Sequence, residues 1–257
     1  MRGRTSSRGA VGAELQLHMV AESHPDQLSE GQRRLVFFDF DNTLTRFDST
    51  LPFAVFLACR SRTFGRLLRA FLPFLRLRTG ALSNHDFKVS FVRTFLRDRS
   101  VMEVTELCCR FFDLHLSRMV DGPVLKLLEQ HLREGCEVIL VSANFDFFLS
   151  PLVERWKLQG VVATETEKVN GRLTGRLCGR ACFGEQKLRR VRAQFGEDRV
   201  AAAIAYADGN EDRFLLDAVR EGHLLKKERR FLDRWPFTGL SPWRRSESRK
   251  TRGTADP

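Results

Sequence analysis

Asp39 and Asp41 stand one residue apart in LVFFDFDNTLT, residues 35–45. Two carboxylates this close repel unless a cation lies between them or one of them keeps a proton. The first condition makes a site for a divalent ion, and the second makes a general acid. Apolar and aromatic residues precede the pair, which places it at the end of a buried strand. Side chains alternate along a strand, so residues i and i+2 point the same way and both carboxylates can address one ligand. The alternative is structural, with the carboxylates capping a turn or helix after the strand. Further residues capable of chemistry follow in order. Ser142 lies in EVILVSAN (137–144), Lys187 in GEQKLRRV (184–191), and Asp208 and Asp212 in ADGNED (207–212). Taken alone, Lys187 reads as a solvated surface lysine.

The elements that must position these residues are legible in outline. Residues 34–39, 137–144 and 199–212 are apolar runs that each end in polar residues, Gly or Asn. Buried strands with polar carboxyl ends are the pattern of a parallel α/β sheet, where ligands bind at the strand ends. Between the first two runs the spacing is helical. Leu67, Leu68, Phe71, Leu72 and Leu75 share one face, as do Phe87, Phe91, Val92 and Phe95. Gly80 and the LSN before His85 divide this stretch into several helices. Asn170-Gly171 between two short extended segments predicts a hairpin. The expected organisation is a weakly ordered segment at 1–33, an α/β core at 34–48 and 134–240, a helical insertion at 49–133, and a disordered basic tail at 241–257.

The series D-x-D-x-T, Ser, Lys and D-x-x-x-D resembles the haloacid dehalogenase superfamily of phosphotransferases and hydrolases, over residues 34–237. The insert placed directly after the first motif, the hairpin and the ADGNED loop resemble the branch that contains phosphoserine phosphatase. Ala207 stands where that branch has glycine. The resemblance implies a Rossmann-like parallel-sheet core with an inserted helical cap of the C1 type. It also implies phosphomonoester hydrolysis through an aspartyl-phosphate. A phosphate ester repels anionic nucleophiles, so a metal ion and a lysine must offset charge while a carboxylate attacks. By resemblance Asp39 is the nucleophile and Asp41 the acid/base. Mg²⁺ would be held by the Asp39 carboxylate, the Asp41 backbone carbonyl and Asp208, with Asp212 holding metal waters or orienting Lys187. Ser142 and the backbone N–H of Ala143 or Asn144 would bind phosphoryl oxygens, helped by Asn42 and Thr43. Lys187 would balance charge. Asp48 stands where phosphoserine phosphatase carries a glutamate that meets the substrate's amino group; its other reading is a cap for the helix starting near Leu51.

Composition bounds the partners. The net charge of +11 over 257 residues favours an anionic ligand. The expected substrate is a small phosphorylated metabolite such as phosphoserine. A lipid phosphate is the alternative, because residues 49–85 contain no acid while arginines alternate with Phe and Leu. Such a segment, at residues 53–78, could dock on an anionic membrane. A non-catalytic reading, nucleic-acid or anion binding through KKERRFLDRWPF (226–237), is not favoured, since no stacking motif accompanies it. The six cysteines show no C-x-x-C pair and no zinc-finger spacing, and read as reduced thiols. No apolar run approaches the roughly 20 residues of a membrane span. A cytoplasmic protein, with peripheral contact at the inner membrane face as the variant, is the expectation.

Overall fold

Strands β1 (Leu17–Glu22), β2 (Leu35–Phe38), β3 (Glu137–Phe145), β4 (Gly160–Thr164), β7 (Ile204–Ala207) and β8 (Glu221–Leu225) form one sheet in the order β1-β8-β7-β2-β3-β4. All neighbours are parallel except β1, which pairs antiparallel with β8 at the edge. A separate hairpin joins β5 (Thr166–Val169) to β6 (Arg172–Leu177). Its turn residues Asn170 and Gly171 take φ of 49° and 71°, as a two-residue hairpin turn with right-handed strand twist requires. The computed structural model describes residues 17–22, 32–60, 73, 75–77 and 79–225.

β2 is central because every one of its residues is apolar and buried. Val36 and Phe38 pack on one face with Val138, Leu140 and Tyr206. Leu35 and Phe37 pack on the other with Ile139, Val141 and Ala205. A strand covered on both faces needs no polar alternation. From β2 the chain passes to β3 on one side, and later to β7 on the other. The topological switch therefore falls at the carboxyl end of β2, which is where ligands bind in such sheets.

Helices α1 (Thr50–Arg60), α2 (Asn84–Phe95) and α3 (Val101–Met119) follow β2. Ser83 and Ser100 cap α2 and α3 by accepting N–H bonds from Asp86 and Glu103. Phe53 of α1, Phe91 of α2 and Phe111 and Phe112 of α3 meet Phe148 and Phe40 in one cluster. Phe53 and Phe112 each lie 4.7 Å from the Phe148 ring, and Phe40 is edge-on to Phe112 at 6.3 Å. The helical insert and the sheet thus share a single core. α4 (Gly122–Arg133), α5 (Asp146–Trp156), α6 (Glu185–Phe195), α7 (Glu197–Ala201) and α8 (Arg213–Leu216) follow along the described residues.

Three expectations need correction. Residues 17–22, placed in a weakly ordered segment, form β1, because β8 offers them an edge to pair with. α4 is a sheet-packing helix rather than part of the insert: His131 bonds Tyr206 of β7, and Val124 and Leu128 are buried in the shared core. The third apolar run is strand only over 204–207, since its first part closes helical hydrogen bonds in α7. The acid-free run at 53–78 is described mainly in α1, where Phe53 is 2% exposed and Phe56 packs on Phe111. These two rings serve the core. Most of the rest of that run, Arg62, Arg66, Arg69 and Arg78 included, lies outside the described residues, as do the segment at 226–237 and the tail at 241–257. No described helix is long and apolar enough to cross a membrane.

Candidate active site

The chain leaves β2 in a tight loop. Asp39 is extended, its N–H donating to the Tyr206 carbonyl at 2.9 Å. Asp41 is also extended, and Asn42 then takes a left-handed conformation with φ 63°. The Asn42 N–H donates to Thr45 Oγ1, and the Thr45 N–H returns to the Phe40 carbonyl. Asn tolerates this backbone better than most residues do. The loop delivers the two aspartates into separate networks.

Asp39 is 7% exposed and accepts from both neighbours that face it. Lys187 Nζ donates to Oδ1 at 2.7 Å, and Thr43 Oγ1 donates to Oδ2 at 3.0 Å. Lys187, at the start of α6, also donates to Asp212 Oδ1 at 2.5 Å and is 3% exposed. Thr43 Oγ1 lies 3.4 Å from Asp208 Oδ1, which brings the residue after β7 into the same group. Burial raises the Asp39 pKa to about 6 against the pull of the Lys187 ammonium, so the group is ionised at neutral pH. Burial works against the Lys187 charge as well, but Asp39 and Asp212 together outweigh it and raise its pKa.

Asp41 is held apart from this group. Its Oδ1 accepts from the Ser49 N–H at 2.8 Å and the Ser49 hydroxyl at 2.6 Å, and its Oδ2 accepts from Asn144 Nδ2 at 2.9 Å. Burial, then the charge of Asp48, raise its pKa to about 7, with Lys88 opposing. A carboxyl that titrates near neutrality can give a proton and take it back.

Asp39, Asp208 and Asp212 place carboxylate oxygens within 4.8 Å of one another. Three carboxylates and one ammonium leave a formal charge of −2, and the donors are all oxygen. That set fits a hard divalent cation such as Mg²⁺. The Asp41 carboxylate is not part of the cluster, which leaves its backbone carbonyl as the group available from that residue.

The remaining predicted residues fall at the same strand ends. Ser142 is on β3, where the ladder to β4 skips between Val141 and Phe145. The Ser142 hydroxyl accepts the Asn144 N–H at 3.1 Å, and the Ala143 carbonyl accepts from Thr164 Oγ1. The Asn144 N–H thus rests on Ser142 here, and its side chain holds Asp41, Ser49 and the Phe145 N–H. Asp48 accepts the Thr50 N–H at 2.7 Å, which is the capping alternative, while its charge still reaches Asp41.

Two participants escaped sequence reading. Ser49 ties Asp41 to Asn144. Lys88 of α2 is 4% exposed, lies 4.9 Å over the Phe145 ring, and feels Asp48 and Asp41. Its signal was present: a lysine occupies the face of α2 that also carries Phe91, Val92 and Phe95.

A family model described as haloacid dehalogenase-like hydrolase matches residues 36–217. The chain belongs to that family. Among relatives of this haloacid dehalogenase-like hydrolase, Protein CicA of Caulobacter vibrioides is 27% identical over 190 residues, covering 73% of this chain and 83% of that protein. Phosphoserine phosphatase SerB1 of Mycobacterium tuberculosis is 29% identical over 191 residues, 71% of this chain and 61% of its own length. A protein of unknown function from Bordetella pertussis has a solved structure similar to this one, with a TM-score of 0.66 at 27% identity over 73% of this chain and 87% of that one. A probable phosphoserine phosphatase from Vibrio cholerae shares the fold, with a TM-score of 0.54 at 17% identity over 74% and 55% of the two chains. The chain is thus a haloacid dehalogenase-like hydrolase, and proteins named as phosphoserine phosphatases are among those it is similar to.

Proposed function

We propose that this hydrolase is a Mg²⁺-dependent phosphomonoesterase acting on a small phosphorylated metabolite of the phosphoserine kind. The observation that carries the reading is the division of labour between the two aspartates. Asp39 is ionised and locked by Lys187 and Thr43, whereas Asp41 is poised near neutral pH in its own network.

In the first step an Asp39 oxygen attacks phosphorus, and the bond to the leaving alkoxide breaks as Asp41 protonates that oxygen. In the second, Asp41 takes a proton from water, the water oxygen attacks the aspartyl-phosphate, and inorganic phosphate departs with Asp39 restored. The Ser142 hydroxyl and the Ala143 N–H would hold phosphoryl oxygens, with Asn42 and Thr43 lining the loop beneath. Lys187 would offset the charge of the nucleophile and the transferring group. Bound Mg²⁺, held by the Asp39 carboxylate, the Asp41 carbonyl and Asp208 and supported by Asp212, would lower the charge repulsion on the phosphoryl oxygens.

Lys88 supports a polar, anionic leaving group. Burial lowers its pKa while Asp48 and Asp41 favour its charge, and a carboxylate on the alcohol portion would favour that charge further, as a hydrocarbon tail would not. The lipid-phosphate alternative rests on the arginine-rich run alone, most of which lies outside the described residues.

The experiment is a Mg²⁺-supplemented screen of phosphoserine, sugar phosphates, nucleotides and lipid phosphates, with Asp39→Asn as control. Turnover of a small ester that Asp39→Asn abolishes without loss of fold is the expected result. Wild-type rates in Asp39→Asn, or a phosphoryl group trapped on another residue, would overturn the assignment.

A further inference from the structure

A second group of ligating side chains lies where α4 runs into β3, at the amino end of that strand and opposite the catalytic strand ends. His131, Glu134 and Cys136 place one ligand atom each within 4.8 Å of one another. The phosphatase mechanism uses none of the three. Gly135, at φ 78°, reverses the chain after α4, and the Cys136 N–H donates to the His131 carbonyl, which returns the thiol beneath the imidazole.

The imidazole is already oriented. Its Nε2 is hydrogen-bonded to the Tyr206 hydroxyl at 3.0 Å, which turns Nδ1 toward the other two groups. Metal-binding histidines are held in this way through their second nitrogen. Nδ1 lies 3.6 Å from Glu134 Oε2 and 3.9 Å from Cys136 Sγ. The first separation is too long for a hydrogen bond and the second is a weak one at its limit, while the other Glu134 oxygen accepts from Gln130 Nε2 at 2.8 Å, so the groups converge but hold one another only loosely. A tetrahedral zinc ion with ordinary bond lengths would set the N···O separation at about 3.4 Å and the N···S separation at about 3.6 Å. The observed values exceed these by roughly 0.2–0.3 Å, a difference that the half-exposed Glu134 side chain and a small thiol rotation can close. The carboxyl end of α4 adds a favourable field for a cation.

We propose that His131 Nδ1, the Glu134 carboxylate and Cys136 Sγ, with a water as fourth ligand, form a site for a borderline transition metal, Zn²⁺ foremost. Thiolate and imidazole select such an ion over Mg²⁺, so this site and the acidic cluster would sort the two metals by donor type. On binding, the Cys136 thiol releases its proton to solvent and His131 binds as neutral imidazole. The site also has a route to the catalytic loop. Tyr206 lies two residues before Asp208, and its carbonyl receives the Asp39 N–H.

The test is a Co²⁺ titration of the full chain with Mg²⁺ in saturating excess, read by near-ultraviolet thiolate-to-cobalt absorption. Carboxylate sites produce no such band, so the acidic cluster cannot imitate it. One equivalent of Co²⁺ is expected to bring up the band, and Zn²⁺ to displace it. Cys136→Ser should lose the band, Cys59→Ser should keep it, and Tyr206→Phe should weaken binding about tenfold. Phosphatase turnover in Mg²⁺ should persist in Cys136→Ser. Absence of the band in the folded wild type, or its survival in Cys136→Ser, overturns the proposal. Should Cys136→Ser fail to fold, His131→Gln and Glu134→Gln decide: unchanged Co²⁺ affinity in both overturns it.

Discussion

At the scale of single residues, the site works by giving two like groups unlike surroundings. The pH dependence of turnover should report both. With an alkyl phosphate substrate, kcat/KM should rise as Asp39 ionises, with a midpoint at or below about 6, and fall as Asp41 loses its proton near 7. The Asp48 charge raises the Asp41 pKa, so Asp48→Asn should move the alkaline limb to lower pH. Lys88 opposes that rise, so Lys88→Met should move the same limb to higher pH. With p-nitrophenyl phosphate, whose leaving group needs no proton, the limb should fade. Lys187 supplies a second test. Lys187→Ala leaves Asp39 and Asp212 buried without the ammonium between them, and a buried ion pair broken in this way costs about 3–5 kcal/mol. Turnover should fall by about a hundredfold or more. Thermal melts with and without Mg²⁺ should show a larger gain from the metal in Lys187→Ala than in wild type, because the added cation replaces part of the lost charge. Equal gains would argue against a cation site at Asp39, Asp208 and Asp212.

At the scale of elements, the strands that carry the site were legible because parallel strands buried on both faces leave long apolar runs. Asp39, Ser142, Asp208, Lys187 and Asp212 could all be named from motif order. The path between Asp39 and Asp41 could not. Strand alternation sends both to one ligand, whereas the loop and the left-handed Asn42 send them to Lys187 and to Asn144. α4 was misplaced because its amphipathic period looks the same whether its apolar face meets cap helices or a sheet. β1 was missed because an antiparallel edge strand depends on a partner about 200 residues away, which local pattern cannot supply. That partner, β8, has a demanding position at Gly222. A Cβ there would lie 2.2 Å from the Leu216 carbonyl oxygen, and backbone cannot yield as a side chain can. Gly222→Ala is expected to destabilise the protein by about 1–3 kcal/mol in urea unfolding. It should also raise the Mg²⁺ concentration needed for half-maximal activity, since Gly222 pairs with β7 beside Ala205, three residues before Asp208.

At the scale of the whole molecule, the phenylalanine cluster that joins the helical insert to the sheet has a consequence for how the protein melts. Phe40 belongs to the loop between Asp39 and Asp41, Phe53 and Phe112 to the insert, and Phe148 to the helix after β3. Neither part keeps a complete interior if the other comes undone. Scanning calorimetry of the full chain should therefore record one endotherm, with equal calorimetric and van't Hoff enthalpies. Two resolved endotherms would show separable parts. Phe148→Ala should lower the single transition by an amount corresponding to about 3–5 kcal/mol. Lifting the insert away whole would wet a row of aromatic rings, which makes that motion costly. Admission of substrate is then expected from small displacements at its rim, with the ring cluster serving as a dry fulcrum.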